Sequence, residues 1–200
     1  MNANIPILFR SYQSHETQLD CKIWEAARAT SAAPTFFKHI ELGNKQPFID
    51  GGLGCNNPSR VVLDEAEALF GTHQIWCLVS IGTGQAEIIN IKKPGFLQQI
   101  IPTDVIKALK AISTDCEAMH EDMLHLFTNS PNTYFRLNVE HGMQDIELSE
   151  WEKLANVEAH TMQYLRRKET DRKLSLVVNA VKSPKAQLMM EQLGMKKIAL

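Results

Sequence analysis

The sequence contains no apolar run that could cross a lipid bilayer, which requires about 18 or more consecutive apolar residues. Its N-terminus also lacks the basic region and the following apolar region that mark a secretory signal peptide. We therefore expect a cytoplasmic or peripheral membrane protein with neither a signal peptide nor a transmembrane segment.

Neither sign of charge is in excess. The chain has 21 lysine and arginine residues against 23 aspartate and glutamate residues, which gives a formal net charge of -2. A surface that binds nucleic acid usually shows itself as a basic excess. The sequence therefore predicts no nucleic-acid partner.

Patterns typical of disulfides, metal sites and nucleotide sites are also missing. The four cysteines form no C-x-x-C pair and fall in apolar or helical segments, which predicts reduced thiols in or near the core. The histidines include no H-E-x-x-H, and Gly82-Thr83-Gly84 is not followed by a phosphate-binding motif. We expect neither a metal nor another cofactor. The cysteines are Cys21, Cys55, Cys77 and Cys116.

What the chain does contain is typical of a globular protein. It has 200 residues, of which 44% are apolar, a mean hydropathy of -0.21, and no internal repeat or low-complexity tract. This length fits one domain or a large piece of one.

The N-terminal third predicts two short strands around one helix. Apolar residues indicate a strand over Ile5–Phe9, and spacing indicates a helix over Lys22–Thr30, which Ser31–Pro34 end. A second short strand, Phe48–Ile49, ends at Asp50. The helix residues expected to face the core are Ile23, Trp24 and Ala27.

A helix and a buried strand are predicted next. Asn57 can cap a helix that starts at Pro58 and stops at Gly71. Ile75–Ile81 is a continuous apolar run with one serine, as in a strand buried on both faces of a parallel sheet. These elements predict an α/β fold. The helix residues expected on the buried side are Val62, Leu63, Ala66, Leu69 and Phe70.

The remainder is predicted to be mainly helical. Periodic apolar residues indicate a long helix over Val105–Phe127, and Thr133–Val139 alternates as a half-exposed strand. A capping box, Ser149-x-x-Glu152, opens a helix that runs through Leu165 and packs Trp151, Leu154 and Met162. The tail from Asp171 is predicted to hold two shorter helices, the second opened by Ser183-Pro184.

One carboxylate stands out in the stretch FIDGGLGCNNPSR, which runs from Phe48 to Arg60. Asp50 follows an apolar segment and precedes two glycines. An aspartate in such a place is more often a turn former, because its side chain bonds the backbone two residues on. It could also act as a general base on a hydroxyl. Spacing alone leaves both interpretations open.

Three blocks of sequence resemble the patatin-like phospholipase family. They are ARATSAAPTFF (Ala27–Phe37), DGGLGCNNP (Asp50–Pro58) and LVSIGTG (Leu78–Gly84), in the order that the family shows. ILFRSY (Ile7–Tyr12) is similar to the strand that precedes them in the eukaryotic and fungal branches. The resemblance is strong over residues 5–85 and weak over residues 86–200.

The resemblance implies a three-layer α/β/α sandwich and a lipid acyl hydrolase that uses a serine–aspartate dyad. In the family motif D-G-[GA], matched here by Asp50, Gly51 and Gly52, the aspartate takes the proton of the nucleophilic serine. The implied partners are a phospholipid or another acyl lipid and, transiently, a membrane surface. Further domains in a full-length protein, and chemistry without a metal, are also implied.

The sequence departs from the family in lacking the nucleophile. No G-x-S-x-G occurs in the 200 residues, and the glycine-rich oxyanion loop is missing too. We therefore expect residues 1–200 to be the C-terminal part of a patatin-like domain whose N-terminal part is missing, and to be inactive alone. Two alternatives remain: a non-catalytic lipid-binding or regulatory module, and a chain that does not fold by itself.

Other polar residues have simpler interpretations. Ser31 is expected to be structural, and Asn56 and Asn57 to form a turn and a cap. Arg28 either orients a carboxylate or caps its own helix. A loop with Lys92, Lys93, Phe96 and Leu97 combines charge with apolar bulk and could touch a lipid surface.

Overall fold

The computed structural model describes residues 6–13, 19–34, 36–71, 75–85, 116–144, 146 and 150–182. They belong to two units. The first unit comprises Met1–Asn56 and Ile91–Glu117, and the second comprises Asn57–Asn90 and Ala118–Leu200. Each unit has a small apolar core of its own.

The first element of regular secondary structure described in the first unit is helix α1, Ile23–Thr30. The Glu25 carboxylate accepts the backbone N–H of Lys22 at 2.7 Å, which satisfies one donor at the start of the helix. The buried residue of α1 is Ala29, which packs with Leu42 and Phe48. The helix boundary predicted from the sequence is therefore confirmed to within one residue.

The orientation predicted for α1 is wrong. Ile23 is 91% exposed and Trp24 is 59% exposed, and Ala27 is exposed as well. Ala29 lies on the other side of the helix, because successive residues advance by about 100°. Ala29 packs with Leu42 of the neighbouring hairpin, so this side of the helix, and not the side with Ile23 and Trp24, is buried.

A β-hairpin follows α1. Strands β1, Ile40–Leu42, and β2, Gln46–Phe48, pair antiparallel, with Ile40 opposite Phe48. The turn contains Gly43 and Lys45, both with φ near +60° (55° and 60°). The predicted strand at Phe48 thus exists, but it ends two residues before Asp50 and lies in a hairpin that the apolar pattern did not reveal.

The described residues of the predicted N-terminal strand do not form a strand. Residues 6–10 have no regular secondary structure, while Ile5 lies outside the described residues. Phe9 nevertheless packs on Phe48, with ring centroids 5.6 Å apart. The apolar character of the segment is used for packing and not for strand pairing.

The segment after β2 leads into the second unit. A short irregular helical turn, α2, spans Gly52–Cys55, and Gly54 takes a φ of +130° there. Helix α3, Ser59–Phe70, follows one residue later than predicted and ends, as predicted, at Gly71, whose φ is +62°. Of the face predicted to be buried, Leu63 is buried and Ala66 is half-buried, whereas the other three are exposed.

The second unit contains a parallel strand pair. Strand β3, Leu78–Ile81, pairs with β4, Tyr134–Leu137, in the register Leu78 to Tyr134. The predicted parallel pairing is confirmed. Burial on both faces is not, because Ile81 is 76% exposed and the buried residue of β3 is Ser80. Nor does β4 alternate, since Tyr134 and Phe135 are both buried.

Helices complete the second unit. Residues 116–126 are helical (α4) and enter the second unit at Ala118, and Met123 of this helix joins Leu63, Phe127 and Tyr134 in the core. The predicted residues 105–115 of this helix lie outside the described residues. No described helix is both long and apolar enough to cross a membrane.

The C-terminal helices differ in detail from the prediction. A 3-10 turn, Trp151–Lys153, leads into α5, Leu154–Leu165, and α6 spans Lys168–Lys182. The end of α5 is as predicted, but Trp151, Leu154 and Met162 are exposed, and the buried residue is Tyr164. Ser149 and the predicted helix at Ser183-Pro184 lie outside the described residues. The mixture of helices with a parallel pair confirms the α/β class.

Candidate functional site

Asp50 lies just beyond β2 and is tied to the segment that follows α1. Its backbone N–H donates a hydrogen bond to the carbonyl oxygen of Ala32 at 3.1 Å, and Ala32 is completely buried. The first two motif blocks, which contain these two residues, therefore meet in the first unit. This contact fixes the backbone from which the carboxylate projects.

The carboxylate of Asp50 also forms a local turn. Its Oδ1 atom accepts the backbone N–H of Gly52 at 2.7 Å, and the bond is partly buried. Within the described residues, this is the hydrogen bond seen on the carboxylate, and it orients Oδ1. The turn-forming interpretation of Asp50 thus describes its geometry, and it does not exclude a chemical role.

Two of the motif glycines have physical reasons to be glycine. A Cβ atom on Gly52 would come within 3.1 Å of the Asp50 Oδ1 atom, and Gly54 has a φ of +130°. A Cβ atom on Gly51 would meet nothing within 4 Å. The close approach of the backbone to the carboxylate therefore depends on Gly52.

Ser31 and Arg28 have structural contacts in the first unit. The hydroxyl of Ser31 donates to the carbonyl oxygen of Ala27 at 2.8 Å, which suits the structural interpretation of this serine. The guanidinium of Arg28 donates from Nη2 to the carbonyl oxygen of Lys38 at 2.5 Å and lies 5.5 Å from the ring centre of Phe37. Arg28 therefore binds a loop carbonyl and an aromatic ring, and not the carboxylate that one of its two interpretations required.

The third motif block lies in the second unit and takes part in a buried polar cluster. We call it the Asn57 cluster, and its members are Asn57, Ser59, Ser80, Tyr134 and Arg136. The Oδ1 atom of Asn57 accepts the hydroxyls of Ser59 at 2.7 Å and of Ser80 at 3.1 Å. Both serines and Asn57 are buried. The prediction of Asn57 as the cap is wrong, because the N-cap residue of α3 is Pro58 and no side chain caps the helix. The side chain of Asn57 instead joins the start of α3 to β3.

Strand β4 completes the Asn57 cluster from the other side. Nη1 of Arg136 donates to the Ser80 hydroxyl at 2.9 Å, and the Tyr134 hydroxyl lies 3.1 Å from Nδ1 of His120. Burial raises the pKa of the Tyr134 phenol, while Arg136 and the hydrogen bonds of the cluster act against that rise. The phenol is therefore held in its neutral, hydrogen-bonding form.

The glycine turn after β3 is held by β4. The backbone N–H of Gly84 donates to the Asn138 Oδ1 atom at 2.8 Å. A Cβ atom on Gly82 would collide with the Asn138 side chain and come within 2.7 Å of Arg136 Nη2. The space beside Gly82 is thus occupied by the side chains of Arg136 in β4 and of Asn138, which directly follows β4.

Sequence reasoning missed the Asn57 cluster. The signal that could have found it is the single serine, Ser80, inside the apolar run Ile75–Ile81, since a buried hydroxyl needs a partner.

Among the described residues, no three histidine, cysteine, aspartate or glutamate side chains form a group that could hold a metal. The loop with Lys92, Lys93, Phe96 and Leu97 lies outside the described residues.

Comparisons with known proteins agree with the motif blocks. The sequence model of the family described as patatin-like phospholipase matches residues 4–63, a range that includes Asp50 and the first two blocks. The chain is 34% identical over 150 residues to calcium-independent phospholipase A2-gamma of Homo sapiens, a match that covers 74% of this chain and 18% of that protein.

More distant organisms carry similar proteins. Patatin-like phospholipase 1 of Plasmodium falciparum is 29% identical over 143 residues, which are 63% of this chain and 21% of that protein. Phospholipase A I of Arabidopsis thaliana is 32% identical over 133 residues, 65% of this chain and 10% of that protein. No solved structure gives a significant match.

The chain spans about a fifth of the length of the curated relatives that it matches most strongly. Within the chain, the family's sequence model covers the first two motif blocks, and the alignment to the human relative covers 74% of the residues. The helices and the parallel strand pair fit part of the three-layer α/β/α fold of that family. On these grounds the chain belongs to the patatin-like phospholipase family.

Proposed function

We propose that this chain supplies the general base, Asp50, of a serine–aspartate dyad that hydrolyses acyl esters of phospholipids or related lipids. The observation that carries the proposal is the hydrogen bond from Gly52 N–H to Asp50 Oδ1 at 2.7 Å. It orients one carboxylate oxygen through the motif's own backbone. In the proposal, the other oxygen, Oδ2, receives the proton of the serine.

The proposed reaction has two steps. Asp50 accepts the proton of a serine hydroxyl while the serine oxygen attacks the ester carbonyl, and the proton then passes to the departing lysolipid alcohol. Asp50 next accepts a proton from the water that attacks the acyl-enzyme, and it gives this proton to the departing serine oxygen as the fatty acid is released. The aspartate is unchanged at the end of the cycle, so no cofactor is consumed.

The backbone around Asp50 suits a base that must keep its place through both steps. The Asp50 N–H is bonded to the buried carbonyl of Ala32, and Gly52 permits the close carboxylate contact. Positioning of a base by such fixed contacts is how general-base catalysis contributes roughly 100- to 10,000-fold to a rate.

The nucleophile of the dyad is not in this chain, because no G-x-S-x-G occurs among its 200 residues. In the proposal, residues 1–200 form the C-terminal part of the catalytic domain, and the serine belongs to a preceding segment. Purified residues 1–200 should therefore show no lipid hydrolysis and no labelling by a fluorophosphonate probe.

The proposal is tested with a fusion in which the G-x-S-x-G-containing segment of a patatin-like relative precedes residues 1–200. The fusion should hydrolyse phosphatidylcholine vesicles and label with fluorophosphonate, and Asp50→Asn should lower kcat at least about 100-fold. Asp64→Asn is the matched control, because Asp64 is an exposed residue of α3 that pairs with Arg60. Full activity in Asp50→Asn would refute the assignment.

A second outcome would contradict the expected inactivity of residues 1–200 alone, although it would support Asp50 as the base. Hydrolysis by purified residues 1–200 that disappears in Asp50→Ala would mean that the nucleophile lies within the chain. The experiment on the unfused chain is therefore run alongside the fusion.

The absence of the nucleophile also favours an alternative function, a non-catalytic lipid-binding or regulatory module. Such a module would bind lipid vesicles without labelling by fluorophosphonate, and its fusion would remain inactive. Labelling and turnover of the fusion decide between the two functions. A phospholipid ligand, transient membrane contact, further domains and a cytoplasmic or peripheral location stay predictions under either one.

A further inference from the structure

The turn that follows Asp50 has little burial to hold its shape. Helix α2, Gly52–Cys55, is a four-residue turn with no fully buried residue, and two of its residues have non-helical backbone angles. The backbone bond that closes it runs from the N–H of its last residue to the carbonyl oxygen of Gly51 at 2.9 Å. A short exposed segment of this kind opens easily, so its shape depends on contacts at its two ends.

Each end of this turn is bonded to another part of the first unit. At the near end, the Asp50 N–H donates to the carbonyl oxygen of the buried Ala32. At the far end, Nδ2 of Asn56 donates to the Sγ atom of Cys116 at 3.0 Å, although Cys116 lies 60 positions later in the chain. Cys116 is the first residue of α4, and it belongs to the first unit together with Asn56. The Asn56 side chain therefore ties the turn to the start of a distant helix.

The same side chain lies close to the Asp50 carboxylate. A Cβ atom on Gly52 would be 3.1 Å from Asp50 Oδ1 and 3.7 Å from Asn56 Oδ1. The two side-chain oxygens thus flank one point beside the backbone of Gly52, whose N–H donates to Asp50 Oδ1. The amide of Asn56 is therefore folded back over the turn, with its oxygen near Gly52 and its Nδ2 atom on Cys116. Movement of this amide would change the space in which the carboxylate is held.

We propose that Asn56 is a positioning residue for Asp50. Its amide spans the distance from Gly52 to the start of α4, and so fixes the far end of the segment whose near end is bonded to Ala32. An amide suits this position because it can donate a hydrogen bond without placing a second negative charge beside the carboxylate. The sequence predicts Asn56 only as a turn residue, and it does end α2. The contact with Cys116 adds the anchoring role.

The link to catalysis rests on the proposed function, but the anchoring can be measured without turnover. In residues 1–200, amide hydrogen exchange followed by NMR reports on the Gly52 N–H. Asn56→Ala should speed this exchange about fivefold to tenfold, because the turn opens more often once its far end is released. The internal reference is the Leu78 N–H of the second unit, which donates to the Thr133 carbonyl oxygen at 2.7 Å. Its exchange should change less than about twofold.

Substitutions of Cys116 test the other partner of the bond. Cys116→Ser keeps an acceptor for Asn56 Nδ2 and should leave the exchange of Gly52 within about twofold, whereas Cys116→Ala should act like Asn56→Ala. The double variant Asn56→Ala with Cys116→Ala should exchange no faster than either single variant, because both remove the same interaction. Asn44→Ala is the matched control, since Asn44 is exposed in the β1–β2 turn of the same unit. It should leave the exchange of Gly52 unchanged.

The fusion with a G-x-S-x-G-containing segment tests the effect on the base. Asn56→Ala should lower kcat about tenfold and keep KM within about twofold, because the base is misplaced while lipid binding is unchanged. Cys116→Ala should lower kcat in the same way, and Cys116→Ser should retain it within about twofold. A residue that served stability alone would not separate kcat from KM, provided that the assay is run well below the unfolding temperature.

The positioning role and the proposed function can fail separately. Unchanged exchange of Gly52 in Asn56→Ala, or equal acceleration at Gly52 and Leu78, would overturn the positioning role. A fusion that Asp50→Asn inactivates while Asn56→Ala keeps full kcat would overturn it too, and would leave the dyad intact. Faster exchange of Gly52 in Asn56→Ala, together with a fusion that is inactive even when unsubstituted, would support the anchoring and contradict the dyad alone.

Discussion

The side-chain oxygen of Asn57 accepts a hydrogen bond from the Ser80 hydroxyl at 3.1 Å, although 23 residues separate the two in sequence. The same oxygen accepts the Ser59 hydroxyl at 2.7 Å. One amide oxygen therefore joins the start of α3 to the centre of β3. Because all three residues are buried, water cannot replace the lost partner when one of them is changed.

Asn57→Ala should lower the free energy of unfolding by about 2–4 kcal/mol, because it leaves two buried hydroxyls without their acceptor. Asn179→Ala is the control, since Asn179 is exposed on α6, and it should change stability by less than about 0.5 kcal/mol. Urea denaturation followed by circular dichroism measures both. Equal losses of unfolding free energy in the two variants would mean that the Asn57 cluster does not stabilise the fold.

Stability should decline in alkaline solution through Tyr134. Burial raises the pKa of its phenol in the folded protein, so the folded state favours the neutral form. The contribution is complete below the pKa of an unfolded tyrosine, about 10, and is lost as the pH rises through the higher pKa of the folded state.

The measurement compares the unmodified protein with Tyr134→Phe. The difference in unfolding free energy between them should be constant near neutral pH and should narrow above about pH 10. Urea denaturation at a series of pH values, with tyrosinate absorption as a second readout, records it. A difference that stays the same up to pH 11 would show that the phenol does not titrate in this way.

Two leucines of α3 should respond very differently to truncation. Leu63 is 2% exposed and packs with Met123, Phe127 and Tyr134, whereas Leu69 is 41% exposed. Leu63→Ala should cost about 2–5 kcal/mol of stability because it leaves a cavity. Leu69→Ala should cost less than about 1 kcal/mol. The midpoints of thermal unfolding give the comparison, and similar losses would mean that α3 is rotated from the orientation described.

Two glycines make a matched pair for alanine substitution. In Gly82→Ala the new Cβ atom would collide with the Asn138 side chain, which also holds the Gly84 N–H. We expect a loss of about 1–3 kcal/mol. Gly51 has open space and a φ of -66°, so Gly51→Ala should be neutral or stabilising by up to about 1 kcal/mol. Chemical denaturation of both variants tests this difference in stability. An unfolding free energy of Gly82→Ala equal to that of the unmodified chain would contradict the collision described.

The two substitutions of Asp50 should differ in stability. Asparagine retains an oxygen that can accept the Gly52 N–H, so Asp50→Asn should unfold within about 0.5 kcal/mol of the unmodified chain. Asp50→Ala loses the bond and should cost about 1 kcal/mol. Denaturation curves check both values. A destabilised Asp50→Asn would make it unsuitable for separating catalysis from folding.

Local signals in the sequence predicted the ends of helices well. Gly71 ends α3 because glycine reaches the positive φ required there, and α5 ends at Leu165 as its periodicity indicated. The parallel pairing of β3 was predicted because an apolar run followed a helix. The ends of the helices depend on neighbours within a few residues, which the sequence displays directly.

Contacts between distant residues were not predictable in the same way. Nothing local indicates that Ala29 is buried while Ile23 and Trp24 are exposed, because this depends on which side of α1 meets the hairpin. The buried Ser80 required partners from α3 and β4 that only the folded chain brings together. For Asp50, the sequence located the carboxylate, and the fold supplied its bond to Gly52 and the link to Ala32.

The hydrogen bond between Asp50 and Ala32 closes a loop whose interior is the β1–β2 hairpin. The two ends of that hairpin are held together at its base, while its exposed turn, at Gly43 and Lys45, lies at the opposite end. Residues inserted at the turn would lengthen the hairpin without moving the carboxylate. Variation in length among related chains can therefore accumulate there at no cost to the geometry around Asp50.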